Sequence, residues 1–206
     1  MPRRFGDDLL SVDAASPAEA QALAEQLRET GEWLEVVGGI DSVVVRFDIA
    51  SLDADKAAQR IDASLAEAVR APETADTLLE IPVVYGGEHG FDLDELSETL
   101  GLSAQEIIDL HAGCDYVVDM VGFTPGFAFI GGLDERLRVP RRKEPRQRVP
   151  AGSIAIADGR TGIYSLASPG GWTVIGRTSY ELFDPEADDP LVVKAGMRVR
   201  FKAVAS

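Results

Sequence analysis

The order of predicted strands and helices changes at about residue 78, and this change constrains the fold more than any single motif. The first stretch follows the order β-α-β-β-α-β, with "LLEIPVVYGG" as its last strand. This order is typical of the split βαβ arrangement, in which two helices pack on one face of an antiparallel sheet. We therefore predict a small ferredoxin-like α+β domain over residues 1–77. The strand in "LLEIPVVYGG" completes the pattern of the first part but lies beyond this boundary, within the predicted second domain.

Two stretches of this first part carry the signals of amphipathic helices. "SPAEAQALAEQLRETG" places Ser16 and Glu19 in the positions of a capping box and ends at Gly31. "DADKAAQRIDASLAEAVRA" repeats apolar residues every four positions until Pro72. Between them, "WLEVVGGIDSVVVRFD" predicts two strands joined at a pair of glycines.

The second part begins with two short helices and is then dominated by strands and turns. The helices are predicted at "DLDELSETLG", with Asp92 as its cap, and at "SAQEIIDLHAG", with Ser103 and Glu106 as a second capping box. Most of the glycines and prolines of the chain follow Asp115. This composition indicates a β-barrel or sandwich over residues 78–206.

The stretch "SPGGW", residues 168–172, interrupts a strand-like region. A proline followed by two glycines is unfavourable in a strand, so we predict a loop that joins a strand ending near "TGIYSL" to one in "WTVIGRTSYELF". Two interpretations stay open. The segment is a surface turn anchored by the indole of Trp172, or it is the floor of a pocket with exposed backbone amides.

Composition narrows the classes of function. The 206 residues include 35 acidic and 20 basic side chains, a formal net charge of −15, which argues against a nucleic-acid-binding protein. We expect no membrane segment, because no apolar run approaches the ~20 residues that a spanning helix needs. Cys114 is the single cysteine, so no intramolecular disulfide is possible and a reducing cytoplasm is the expected location.

The basic residues are concentrated in one segment of this acidic chain. Seven of the 20 Lys and Arg residues fall within the thirteen positions from Arg136 to Arg148, where Glu144 is the only acid, so the local charge is +6. Prolines within the segment disfavour a regular helix. The segment either lines a groove that binds anions or forms a solvated loop, and the sequence alone leaves both interpretations open.

No complete catalytic motif is present in the sequence. It contains no phosphate-binding P-loop, no G-x-G-x-x-G after a strand and no G-x-S-x-G nucleophile elbow. The two histidines, His89 and His111, are too few for a zinc site, and we expect no metal. His111 lies near a helix end, where the helix dipole would favour its charged form, or belongs to a site. An enzyme with this sequence would be incomplete on its own.

Five motifs occur together in a fixed order. They are "YGGEHGFDL", "LHAGCDYVVDMVGFTPGF", "PRQRVPAGSIAIA", "TGIY" and "SPGGWTVIGRT". Together they resemble the B-subunit family of bacterial 5-oxoprolinase, also called allophanate hydrolase subunit 1, which includes the Kip-type inhibitors of a sporulation histidine kinase. The resemblance covers residues 80–204 through these motifs and the earlier residues by pattern only.

The resemblance implies a fold and an activity. The fold is a small N-terminal α/β domain followed by a cyclophilin-like β-barrel. The activity is the hydrolysis of 5-oxoproline to glutamate at the expense of ATP, in a complex with a C subunit, whose barrel is similar, and an A subunit. ATP is expected to bind to the complex and not to this chain alone. The alternatives are a Kip-type protein that binds a histidine kinase and a carboxyltransferase component of a urea carboxylase or allophanate system.

The resemblance also implies candidate site residues. The catalytic candidates are His111, Tyr116 and Arg146. The segments "GFTPGF" and "SPGGW" are expected at one mouth of the barrel, where they would offer amides and aromatic walls to a small anionic substrate or to a partner subunit. If Gly171 needs a positive φ to aim its amide, a β-carbon at this position would be strained. The substrate-binding or subunit-interface candidates are Phe123, Pro125, Gly126, Phe127, Arg148, Ser153, Ser168, Gly170, Gly171, Trp172 and Thr178.

Overall fold

The structure, a computed structural model, describes residues 2–66 and 78–205. The chain divides into two compact units, residues 1–73 and 74–206. The predicted domain boundary between residues 77 and 78 and the predicted end of the second helix at Pro72 both involve residues outside the described ranges. Both therefore stay predictions.

The first unit is a four-stranded antiparallel sheet with two helices. The strand order is β1-β2-β4-β3. Its elements are β1 (Arg3–Arg4), β2 (Leu9–Asp13), α1 (Pro17–Glu29), β3 (Glu35–Gly38), β4 (Ser42–Arg46) and α2 (Ala54–Leu65).

Local sequence signals explain where these helices begin. The Ser16 side chain accepts a hydrogen bond from the Glu19 backbone N–H at the start of α1, and Asp53 does the same for Lys56 at the start of α2. The buried face of α1 includes Leu23 and packs in one apolar core with alternate residues of β2 and β4.

The ferredoxin-like arrangement is not confirmed for this unit. The stretch Leu78–Tyr85, predicted as its last strand, pairs within the second unit. The fourth strand of the first sheet is instead the two-residue β1, which pairs with β2. The element order is therefore β-β-α-β-β-α. Apolar alternation identified Leu78–Tyr85 as a strand but carries no information about which sheet the strand joins.

The second unit is built around a closed seven-stranded barrel. Its elements are β5 (Leu78–Tyr85), α3 (Leu93–Leu100), α4 (Ala104–Ala112), β6 (Tyr116–Val121), β7 (Ala128–Gly131), a 3-10 turn (Glu135–Leu137), β8 (Arg146–Val149), β9 (Ser153–Ala157), β10 (Arg160–Ile163), β11 (Ser168–Gly170), β12 (Thr173–Arg177) and β13 (Arg198–Ala203). The barrel order is β10-β7-β6-β13-β5-β12-β9, and β9 closes it on β10. Only the pair of β13 with β5 is parallel among the barrel strand pairs described.

Both faces of the barrel wall are covered along β9. Ile154 and Ile156 belong to an apolar cluster with residues from all seven barrel strands, so they point into the barrel. Ala155 and Ala157 belong to a second cluster, so they point outward. A layer of structure therefore packs on the outside of the barrel at this point.

The predicted loop "SPGGW" is wrong in its first three residues. Ser168–Gly170 form strand β11, which pairs with β8 in a two-stranded sheet. Pro169 fits there because its register is irregular between Ser168 and Gly170, and a proline without an N–H is tolerated in a short edge strand. The following strand is also shorter than its apolar spacing indicated, because β12 ends at Arg177.

None of the helices in the described residues is long and apolar enough to cross a membrane. The predicted helices α3 and α4 are both present, and α4 begins with the predicted capping box, in which Ser103 and Glu106 bond to each other's backbone N–H.

Candidate functional site

A buried carboxylate, Asp92, anchors the basic segment to the barrel. Only 2% of Asp92 is exposed. Its two oxygens accept from the two Nη atoms of Arg146, at 2.5 and 3.0 Å, and one of them also accepts from the Val174 backbone N–H of β12 at 2.7 Å. A bidentate guanidinium pair of this kind fixes both distance and orientation. The guanidinium of Arg146 also lies over the ring of Phe91, 4.7 Å from its centroid.

The prediction that Asp92 caps α3 is wrong. Asp92 does precede the helix, but its side chain makes no capping hydrogen bond. The carboxylate turns instead to Arg146 and Val174, where it meets a full positive charge. Two parallel bonds from a charged guanidinium are stronger than the single bond from a backbone N–H that a cap would supply.

Arg142 extends the charge cluster of Asp92 and Arg146 toward the surface. One of its Nη atoms donates to Glu95 at 3.1 Å and lies 3.5 Å from Asp92. Its backbone N–H donates to the Gly171 carbonyl at 2.7 Å. The segment that contains Arg142 is therefore held by its main chain as well as by its charge.

A cavity of about 420 Å³ lies beside this cluster. One wall is α3 and the other is the basic segment, and the residues that line it are Asp92, Glu95, Leu96, Thr99, Val139, Pro140, Arg141, Arg142, Lys143, Glu144 and Thr173. A volume of this size falls within the range of ~300–1,000 Å³ that is usual for small-molecule sites. Both signs of charge border the cavity.

The segments "GFTPGF" and "SPGGW" contact each other through buried side chains, and their predicted place at a mouth of the barrel stays a prediction. Phe127 and Trp172 are 2% and 5% exposed, and their rings meet edge to face at 5.8 Å. Tyr164 joins them, with its ring 4.9 Å from that of Phe127. These aromatic side chains form the outward-facing cluster on the barrel wall.

Gly170 and Gly171 differ in what their backbone requires. A Cβ at Gly170 would collide with the Tyr164 hydroxyl, so only glycine fits there. A Cβ at Gly171 would meet nothing closer than the Arg142 carbonyl oxygen at 3.6 Å. Gly171 does not meet the condition of a positive φ, because its φ lies outside the left-handed region. The steric constraint therefore falls on Gly170 and not on Gly171.

The "GFTPGF" loop presents one aromatic ring to solvent. Phe123 is 64% exposed and has a φ of 72°, a conformation that a bulky residue rarely adopts. The loop is held by a hydrogen bond from the Ser165 hydroxyl to the Pro125 carbonyl and by Gly126, whose φ is 75°. A Cβ at Gly126 would lie 2.9 Å from Phe183, so this glycine is required on both counts.

His111 lies in the interior of the barrel and has both ring nitrogens paired. Its Nδ1 is 2.7 Å from the Tyr85 hydroxyl and its Nε2 is 2.8 Å from the Thr161 hydroxyl. The Thr161 hydroxyl donates to the Ala155 carbonyl, so it accepts from Nε2, and Tyr85 then donates to Nδ1. These bonds satisfy a neutral ring.

The predicted charged form of His111 at the helix end is therefore wrong. Burial lowers the pKa of His111 to about 3, because the fully buried ring would lose its hydration as a cation. Burial also raises the pKa of Tyr116. The Tyr116 hydroxyl donates to the His111 carbonyl at 2.8 Å, and both rings pack on Phe201. Desolvation outweighs the helix dipole at this position.

The remaining candidates are placed near these features. Arg148 is exposed on β8. Ser153 and Ser168 are buried, and their hydroxyls have no hydrogen-bond partner among the residues that the structure describes. Thr178 is buried and its hydroxyl accepts from the Tyr180 backbone N–H.

The candidates thus lie in separate places, and Arg146 pairs with Asp92. His111 and Tyr116 lie in the core inside the barrel, whereas Phe127, Gly170 and Trp172 lie on its outer face. Their catalytic and binding roles stay predictions.

Comparison with known proteins gives the family of this chain. Residues 3–193 match the family described as carboxyltransferase domain, subdomain C and D. The chain is 42% identical over 193 residues to the 5-oxoprolinase B subunit of Escherichia coli O157:H7, an alignment that spans 92% of this chain and 87% of the relative. The chain belongs to the 5-oxoprolinase B-subunit family.

Solved structures agree with this fold. The crystal structure of TTHA0988 is 32% identical, with a TM-score of 0.83, and it aligns with the whole of this chain, which spans 41% of that longer chain. The urea carboxylase of Kluyveromyces lactis is 17% identical with a TM-score of 0.81, covering 99% of this chain and 22% of that one, and shows a shared fold alone. This fold, with its closed barrel, is consistent with the cyclophilin-like type.

Sequence reasoning missed several residues that organise the site of this member of the 5-oxoprolinase B-subunit family. Asp92 was interpreted as a cap, although its place in "GEHGFDL", one of the ordered motifs, was a usable signal. Tyr164 lies in "TGIY" and was assigned only to a strand. No local signal pointed to Tyr85 and Thr161, because their contacts with His111 join residues 26 and 50 positions apart.

Proposed function

We propose that this chain is the B subunit of an ATP-dependent 5-oxoprolinase, which opens 5-oxo-L-proline to L-glutamate. The observation that carries the proposal is the 42% identity to a relative named as the 5-oxoprolinase B subunit, across 87% of that relative's length. In this proposal the chain works with a C subunit, which has a paired barrel, and with an A subunit. The complex is cytoplasmic, in keeping with a chain that has one cysteine.

The geometry supports a role in binding a small molecule more than a role as a complete catalyst. The cavity beside Asp92 has the size of a small-molecule site and is bordered by fixed charges. His111, by contrast, is enclosed and neutral, so in this proposal it has a structural role inside the barrel and does not transfer a proton to substrate. Tyr116, whose hydroxyl donates to the His111 carbonyl, has the same structural role.

ATP is assigned to the assembled complex. The sequence contains no phosphate-binding loop, so hydrolysis of ATP by this polypeptide alone is not expected. Opening a stable lactam is unfavourable without coupling to ATP, and the coupling requires that the nucleotide and the lactam meet at one centre.

The exposed Phe123 is the strongest candidate for contact with a partner subunit. Its ring is presented on a loop that Ser165 and Gly126 hold in place, and exposed aromatic residues on rigid supports are typical anchors of protein interfaces.

Reconstitution tests the proposal. The chain is co-expressed with the products of its neighbouring genes, and ATP hydrolysis is measured with and without 5-oxoproline. We expect hydrolysis that depends on 5-oxoproline and on every subunit, with stoichiometric glutamate. Robust ATPase activity of the chain alone contradicts the incomplete-enzyme interpretation, and binding to a histidine kinase without turnover supports the Kip-type alternative instead.

A further inference from the structure

The cavity between α3 and the basic segment has charges of both signs that are not used by the protein itself. Lys143 lines the cavity, and its side chain has no ion pair or hydrogen bond to any residue in the ranges 2–66 and 78–205. Glu95 uses Oε2 for Arg142, while its Oε1 has no hydrogen bond within those ranges. The cavity therefore offers a ligand one unpaired cation, Lys143, and carboxylate acceptors that include the open Oε1 of Glu95.

Among the other charges at the cavity, Glu144 also has no ion pair or hydrogen bond to a described residue, and the rest are matched within the protein. Asp92 is neutralised by the bidentate Arg146, and Arg142 by Glu95. Arg141 pairs with Asp158 outside the cavity, at 3.2 Å. Glu95 lies on the α3 wall, opposite the basic segment that carries Lys143, so a ligand with both an anionic group and a donor can contact both walls. A ligand that carried only a donor would leave Lys143 without a partner.

We propose that this cavity binds a small organic carboxylate that also carries an N–H donor, with Lys143 pairing with the carboxylate and Glu95 accepting the N–H. Both 5-oxoproline, a lactam with a carboxylate, and glutamate, with an ammonium beside its carboxylate, have this chemistry. The proposal rests on the proposed function only for the choice of these two ligands.

The walls of the cavity are held in position before a ligand binds. Arg142 is tied to Gly171 by its backbone, and the Asp158 backbone N–H donates to the Val139 carbonyl at 2.7 Å. Asp92 fixes the start of α3 to β12 by accepting from Val174. A preformed site of this kind loses less conformational entropy on binding than a mobile loop would.

A calorimetric titration of the full chain with four ligands measures the contributions of the Lys143 contact and the Glu95 contact separately. They are 5-oxoproline, glutamate, 2-pyrrolidinone, which lacks the carboxylate, and cyclopentanecarboxylate, which lacks the N–H. We expect 5-oxoproline or glutamate to bind more tightly than either fragment, and the comparison of these two identifies the preferred source of the shared chemistry.

Two variants test the assignments of the residues. Lys143→Gln should weaken 5-oxoproline about fivefold and leave 2-pyrrolidinone unchanged, because an exposed charge pair contributes about that much. Glu95→Gln should weaken 2-pyrrolidinone, which binds through its N–H, and should not weaken cyclopentanecarboxylate, because it also releases Arg142 from its charge pair. The matched controls are Lys56→Gln on α2 and Glu98→Gln on α3, which change the same charges away from the cavity and should bind like the wild type.

The site proposal is overturned if the wild-type chain shows no saturable binding of 5-oxoproline or glutamate up to about 10 mM. It is also overturned if Lys143→Gln binds like Lys56→Gln. Turnover of the reconstituted complex is measured separately. A complex that never hydrolyses 5-oxoproline, built from a chain that binds it through Lys143, contradicts the proposed function and leaves the site standing.

Discussion

Removing the Asp92 carboxylate tests whether this side chain holds the basic segment on the barrel. Asp92→Ala leaves the backbone N–H of Val174, a residue with no exposed surface, without an acceptor, and an orphaned buried N–H costs about 1–3 kcal/mol. It also leaves the guanidinium of Arg146 without its partner. Breaking a fully buried pair costs about 3–5 kcal/mol, but the Arg146 side chain is 27% exposed and partly rehydrates. We therefore expect a total loss of about 3–5 kcal/mol.

The assay is equilibrium unfolding in urea, followed by fluorescence. Trp33 belongs to the first unit and Trp172 to the second, so a Trp33→Phe background makes the signal specific for the barrel unit. Asp92→Asn keeps an acceptor for Val174 and should lose about 1–3 kcal/mol. Asp94→Asn, two positions away and exposed, is the control and should lose less than about 1 kcal/mol. A loss below about 1 kcal/mol for Asp92→Ala would refute the anchoring role.

The other partner of the pair gives a complementary test. Arg146→Ala leaves a carboxylate that is only 2% exposed without its bidentate donor, so it should lower the free energy of unfolding by about 3 kcal/mol. Arg148→Ala removes an exposed guanidinium of the same strand and should cost less than about 0.5 kcal/mol. Equal stabilities of the two variants would contradict a structural role for Arg146.

Three further predictions follow from other parts of the fold. Gly170→Ala should cost about 1–3 kcal/mol in urea unfolding, because its Cβ meets the Tyr164 hydroxyl, whereas Gly171→Ala should cost less than about 1 kcal/mol; equal costs would contradict this. The pKa of His111 is lowered to about 3, so below about pH 6.5 the unfolded state binds a proton that the folded state does not, and the free energy of unfolding falls as the pH drops. Between pH 7 and 5.5 the wild type should therefore lose about 1 kcal/mol more than His111→Gln. Equal losses for the two proteins would contradict a neutral buried ring. Limited proteolysis should cut first between residues 71 and 77, and a first cut elsewhere, located by mass spectrometry, contradicts the predicted boundary.

Elements with local signals were predictable from the sequence. Capping residues at Ser16 and Ser103 mark the starts of α1 and α4, because a cap involves residues three positions apart. The strand-rich second part was also predictable from its turns. What a strand pairs with is a long-range property, which explains why Leu78–Tyr85 was assigned to the wrong sheet.

The charge states of the candidate site depended on contacts that the sequence does not reveal. A histidine near a helix end satisfies the pattern for a dipole-stabilised cation, but His111 is enclosed by Tyr85, Thr161 and Phe201, and desolvation decides its form. In the same way, "SPGGW" satisfied the pattern for a loop, and pairing with β8 made part of it a strand.

The basic segment shows how pairing changes the meaning of a charge count. Its +6 charge would produce a strong, salt-sensitive attraction for anions if every side chain were free. Four of the seven cations pair with acids outside the cluster of basic side chains, however, namely Arg136, Arg141, Arg142 and Arg146. Of the other three, only Lys143 lines the cavity. Ligand selectivity must then come from the placement of one unpaired cation among the acidic side chains of the cavity, and binding of a carboxylate should weaken with salt as expected for a single ion pair and not for six.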